Sequence, residues 1–146
     1  MLKGIPQILS PELLMVLCEM GHGDRLVISD GNFPAESMGK DAIVIRCDGH
    51  GVPELLDAVL KLFPLDTYVE KPVNLMEVVP GDDVETPIWD TYKDIIAKYD
   101  KRGAACVGNI ERFAFYDEAK TAYAIIATSE KALYANIMLQ KGVVVE

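Results

Sequence analysis

With 146 residues, half of them hydrophobic and a quarter charged, the chain is long enough to bury one core without disulfides or metals, and it reads as a single domain over residues 1–146. Its formal net charge of -9 repels phosphate backbones and anionic lipid, which excludes nucleic acid and anionic membranes as partners. No apolar run approaches the roughly 20 residues that cross a bilayer, and Met1-Leu2-Lys3-Gly4-Ile5-Pro6 reaches the polar Ser10-Pro11-Glu12 too early for a signal-peptide core, so a cytoplasmic protein is expected.

The first predicted element is a helix. Ser10 is a side chain that can cap free N–H groups, Pro11 suits the first helical position and Glu12 complements the positive end of the dipole. Leu13, Leu14, Val16, Leu17 and Met20 recur at helical spacing, and Gly21 is expected to supply a left-handed cap. Arg25-Leu26-Val27-Ile28-Ser29 reads as a strand covered on both faces, ending at Asp30-Gly31-Asn32-Phe33-Pro34. Residues 42–46 form a second predicted strand, followed by a helix that opens near Pro53 and runs through Leu55, Leu56, Val59, Leu60 and Phe63.

Residues 73–79 predict a third strand. Thr86-Pro87 then caps a helix with Ile88, Trp89, Tyr92, Ile95, Ile96 and Tyr99 on one side. A strand over 106–110, a helical or ambiguous stretch over 113–120, and strands over 123–127 and 136–139 complete the chain. The alternation predicts an α/β, three-layer fold with a mostly parallel, mixed sheet, any antiparallel or irregular connection falling at the edge formed by the last two strands.

Cys18, Cys47 and Cys106 are odd in number, isolated and set among apolar neighbours, so they read as buried thiols. Neither His22 nor His50 has a cysteine at ligand spacing, and no metal is expected. Gly21-His22-Gly23 has Leu26 where a dinucleotide fingerprint needs its third glycine, and it precedes a strand. Phosphate-loop and nucleophile-elbow motifs do not occur.

The two glycines beside His22 leave its imidazole uncrowded, as suits either an acid/base group or an ordinary turn histidine. Asp30 ends a strand, where open α/β sheets place their ligand crevices, yet an aspartate before Gly-Asn is also a common turn residue. Arg112 lies in apolar surroundings and must reach solvent, pair with a carboxylate or meet a polar ligand. Tyr134-Ala135-Asn136 carries a phenol and an amide that suit sugar hydroxyls or simple packing. Asp24 and His50 read as turn residues.

Several segments, in order, resemble the D-ribose pyranase and L-fucose mutarotase family. They are Met1-Leu2-Lys3-Gly4-Ile5-Pro6, Leu9-Ser10-Pro11-Glu12-Leu13-Leu14, Glu19-Met20-Gly21-His22-Gly23-Asp24, Asp30-Gly31-Asn32-Phe33-Pro34-Ala35, Arg112-Phe113-Ala114-Phe115-Tyr116, and Tyr134-Ala135-Asn136-Ile137 with Lys141-Gly142-Val143. Asn32-Phe33-Pro34-Ala35-Glu36-Ser37-Met38-Gly39 and the Arg112 segment look more like the fucose branch than the ribose branch. The resemblance implies a mutarotase acting on a monosaccharide, with His22 as catalytic acid and no cofactor. It implies Asp30, Arg112, Tyr134, Ala135 and Asn136 as sugar-binding groups, Asp30 also being a candidate acid/base or orienting group. A ring-shaped homo-oligomer, often a decamer, with sites between subunits is implied as well. Ribose pyranase-like activity and a non-catalytic sugar-binding or transport-associated module are the alternatives carried forward.

Overall fold

The computed structural model describes residues 1–146. Its elements in chain order are α1 (Pro11–Glu19), β1 (Arg25–Ser29), α2 (Ala35–Met38), β2 (Ile43–Cys47), α3 (Val52–Leu60), β3 (Val73–Met76), α4 (Pro87–Tyr99), a 3-10 turn (Gly103–Cys106), β4 (Val107–Ile110), α5 (Arg112–Ala119), β5 (Ala124–Thr128) and β6 (Ile137–Gln140). No helix is long and apolar enough to cross a membrane.

The six strands form one mixed sheet in the order β2-β5-β1-β6-β3-β4. β1, β2 and β5 run parallel, as do β3 and β4, while β6 lies antiparallel to both β1 and β3. The expected irregularity is therefore at the centre of the sheet and not at its edge. β6 reaches that slot because the segment after β5 crosses β1 instead of pairing back with β5, which keeps β5 between β1 and β2.

Alternation along the central strands sends side chains to two cores. Leu26, Ile28, Ala124, Ile126, Ile137 and Leu139 join the larger core under α1, α3 and α4. Val27, Ile125, Ala127 and Met138 join the smaller one with Ala35 of α2 and with Phe115 and Ala119 of α5. A period of two on strands buried on both faces thus yields the three-layer α/β arrangement, each fully buried Leu or Ile contributing about 1.5–3 kcal/mol of transfer free energy.

Local chemistry places most boundaries. Ser10 Oγ accepts the Leu13 N–H at 3.1 Å, and Pro11 opens α1. The expected left-handed cap at Gly21 is absent: Met20 leaves α1 extended, and the positive φ falls on Gly23 at 86°, where the chain turns into β1. Thr86 precedes α4 without a side-chain capping bond. β3 stops at Met76, short of 79, because its partner β6 begins at Ile137 opposite Leu75. The four-residue α2 falls in a stretch where no element was expected. Of the three cysteines only Cys106 is buried; Cys47 is half-buried on edge strand β2, and Cys18 points outward from α1.

All five parallel strands end on one side of the sheet, and β6, running the other way, begins there. That side gathers Asp30, Met76, Glu111-Arg112 and Asn136. The opposite side gathers the turn after α1, the segment before β3 and the end of β6.

Candidate functional site

A cavity of about 280 Å³ opens at the carboxyl ends of the parallel strands. Asp30, Arg112, Tyr134 and Asn136 line it together with Asn32 and Tyr116, and Phe33, Met76 and Leu133 supply apolar wall. Four residues separated by more than a hundred positions of chain are thus brought to one surface by the sheet.

Asp30 follows β1 directly and is only 7% exposed. One carboxylate oxygen accepts the Asn32 and Phe33 N–H groups, each at 3.0 Å, while the Asp30 N–H donates to Asn136 Oδ1 at 2.8 Å. Burial raises its pKa above the ordinary 3.8; the N–H groups of Asn32, Ala135 and Phe33 oppose that rise and the Glu130 charge adds to it. A carboxyl so placed takes a proton more readily than one in water.

Arg112 starts α5, whose N-terminus is capped by Glu111 accepting the Ala114 N–H at 3.0 Å. Its guanidinium lies 5.5 Å from the Phe113 and Tyr116 ring centroids, and Nε donates towards Tyr116 Oη at 3.4 Å. It makes none of the protein's ion pairs, so its two Nη groups are left for solvent or a ligand. Tyr116 went unmarked in the sequence reading, although its i+4 spacing from Arg112 on a helix is a signal that could have found it.

Tyr134, at φ 53°, is the one non-glycine residue with positive φ. Such strain persists where surroundings hold it, and here α4 does so: Trp89 Nε1 donates to the Tyr134 carbonyl at 2.8 Å and Tyr92 Oη to the Ala135 carbonyl at 2.6 Å. Tyr92 is fully buried, and that burial, with the Glu130 and Asp30 charges, pushes its pKa far up, so it remains a donor. Tyr134 Oη in turn donates to Asp82 and accepts the Val79 N–H at 3.3 Å.

His22 does not line this cavity. It sits in the turn before β1, and the five residues of β1 separate it from Asp30 by about 16 Å of extended chain. One chain therefore brings Asp30, Arg112, Tyr134 and Asn136 together and leaves His22 at the other end of the sheet. There its Nε2 lies 3.1 Å from Asp66 Oδ1, and its ring lies 5.2 Å from that of Tyr68. Asp24 caps the same turn by accepting the Gly21 N–H at 2.7 Å.

Asp66 is 2% exposed and also accepts the Tyr68 N–H and Gln140 Nε2, each at 2.9 Å. Burial alone would raise its pKa, but the Tyr68 N–H, His22 and Gln140 together outweigh that and hold it below 3.8. An anionic Asp66 can only accept, so the Nε2–H of His22 donates to it and leaves Nδ1 available on an imidazole whose side chain is 44% exposed. Nothing in Pro64-Leu65-Asp66-Thr67-Tyr68 marked Asp66 in sequence, because only the fold brings it to His22. His50 forms an exposed pair with Glu54 at 3.0 Å. No three His, Cys, Asp or Glu side chains stand together as a metal site needs.

The cavity offers a carboxyl, a guanidinium, phenols and amides around apolar wall, the set that fits a polyhydroxylated ring with one hydrophobic face. The family model described as the RbsD / FucU transport protein family matches residues 3–144. The chain is 53% identical to the fucose mutarotase of Homo sapiens, covering 97% of this chain and 94% of that one. It superimposes on the crystal structure of FucU from Bifidobacterium longum with a TM-score of 0.97 at 66% identity, over 98% of this chain and 100% of the other. The fucose mutarotase of Streptococcus pneumoniae, solved in complex with L-fucose, gives a TM-score of 0.90 at 49% identity, over 99% of this chain and 100% of the other.

Proposed function

The chain belongs to the RbsD / FucU family, and from that premise we propose that it is a fucose mutarotase, an isomerase that interconverts the α and β anomers of L-fucose. The observation that carries this reading is the polar, apolar-walled cavity at the carboxyl end of the sheet, in a fold shared at 49% identity with a mutarotase that holds L-fucose.

Anomer exchange needs a base for the anomeric hydroxyl and an acid for the ring oxygen. Asp30, whose burial favours the protonated form, accepts the anomeric proton as the C1–ring-oxygen bond breaks and the C1 carbonyl forms. His22, protonated on Nδ1 and charge-balanced by Asp66, delivers its proton to the ring oxygen. Rotation about C1–C2 and reclosure with the roles reversed returns both protons and gives the other anomer. Arg112, Tyr134 and Asn136 hold the remaining hydroxyls, and Ala135 contributes backbone. No electron leaves or enters the sugar.

Because His22 and Asp30 stand at opposite ends of β1, this chemistry calls for His22 of a neighbouring copy. Two different surfaces of the chain then meet, and such heterologous contacts give a ring where the rotation between copies closes. Exposed Phe113 and Leu133 beside the cavity, and Tyr68 beside His22, supply apolar area to both surfaces. A decamer is the assembly proposed, and light scattering of the purified protein measures it. A reducing, cytoplasmic location suits the three free thiols.

Magnetisation-exchange NMR of L-fucose, D-galactose and D-ribose anomers tests the reading. Acceleration is expected with L-fucose, and His22→Ala is expected to lower it by about 10²–10⁴-fold. Faster exchange of D-ribose than of L-fucose would move the assignment to a ribose pyranase, and binding without exchange would make the protein a sugar-binding module.

A further inference from the structure

The Tyr134 phenol has one proton and two lone pairs. Its proton goes to the Asp82 carboxylate, and one lone pair takes the Val79 N–H at 3.3 Å. A single lone pair is all that remains for the cavity that Tyr134 lines. Asp82 belongs to the 77–86 segment between β3 and α4, which contributes no lining residue to the cavity. Arg112, which lines the same cavity, is equally one-sided, since its guanidinium can only donate.

From this we infer that Asp82 is a positioning residue for sugar recognition: by taking the Tyr134 proton it makes Tyr134 a pure acceptor, so that the cavity pairs an acceptor phenol with the donor Arg112. Without Asp82 the hydroxyl proton would be free to rotate towards the cavity, and a sugar hydroxyl there would face a donor as often as an acceptor. A fixed acceptor and a fixed donor set the direction of the hydrogen bonds that two sugar hydroxyls make, which selects among aldoses that differ in the orientation of those hydroxyls. The inference rests on the proposed sugar site, and it adds a residue that touches no substrate.

A double-substitution cycle separates this role from general support of the loop. Kd for L-fucose by calorimetry, and KM and kcat by anomer-exchange NMR, are measured for wild type, Asp82→Ala, Tyr134→Phe and the double variant. Asp82→Ala is expected to raise Kd and KM about three- to tenfold, the worth of an exposed charge-assisted hydrogen bond, with kcat nearly kept. In the Tyr134→Phe background, which has no hydroxyl to orient, the same substitution is expected to change none of the three. Equal losses in both backgrounds, or no loss from Asp82→Ala alone, would overturn the inference. A wild-type protein that ignores L-fucose would instead sink the proposed substrate, and the cycle would then be read with whichever aldose of the panel binds.

Discussion

Asp30 carries two opposed demands. Its carboxyl is buried against N–H donors and beside the Glu130 charge, and the net effect raises its pKa above 3.8, so the ionised form costs stability. That cost is fully present above the raised value and vanishes as pH falls below 3.8, where both folded and unfolded chains are protonated. Asp30→Asn keeps an oxygen for the Asn32 and Phe33 N–H groups and removes the charge. We expect its Tm at neutral pH to equal or exceed wild type by about 2–4 °C, with the gap closing as the pH approaches 3.8 in calorimetric scans, while anomer exchange is lost. A lower Tm at neutral pH would show that the ionised carboxylate stabilises the site. The signal for Asp30 was legible in sequence because its place after a branched apolar strand is local. Asp66 was not, since a carboxylate in a loop acquires meaning only from the imidazole that folding sets against it.

α4 illustrates how an element remote from the cavity shapes it. Its apolar stripe was legible from spacing, but the use of two stripe members was not: Trp89 and Tyr92 fasten the backbone carbonyls of Tyr134 and Ala135. Tyr92→Phe leaves the buried Ala135 carbonyl without its donor, which costs about 1–3 kcal/mol. It also frees the strained Tyr134 segment to relax. The expected outcome is a lower chemical-denaturation midpoint with an unchanged slope and a weaker Kd for L-fucose. Full sugar affinity at reduced stability would show that the segment holds its shape without α4. The left-handed residue moved from Gly21 to Gly23 for a related reason, because the Gly23 N–H bonds the Lys141 carbonyl at 2.8 Å and this tie to the end of β6 fixes where the chain turns.

At the scale of the whole molecule, the proposed site shared between copies has a signature that a site within one chain lacks. His22→Ala and Asp30→Asn are each expected to be inactive. Unfolded and refolded together in equal amounts, they are expected, under the proposed ring assembly, to form mixed rings in which some interfaces join an intact His22 to an intact Asp30. Random mixing returns about a quarter of wild-type exchange for a pairwise contact. Separate refolding returns none, and no recovery on mixing would mean that the two groups never meet across an interface.

The amino-acid order alone made the α/β class and most of the element positions legible, because those signals are local, a branched apolar run or a capped stripe; Asp30 was marked by its strand end, while Arg112, Tyr134 and Asn136 were singled out only through ordered motifs that resemble a known family. Only the tertiary structure decided that β6 lies antiparallel at the centre of the sheet, that His22 stands a full strand away from Asp30, and that Asp66 meets His22, Tyr92 the Ala135 carbonyl, Tyr116 Arg112 and Asp82 Tyr134. These are matters of strand order and of hydrogen bonds between residues far apart in the chain. No local spacing encodes them, since the free energy that selects them comes from burying both faces of the sheet at once.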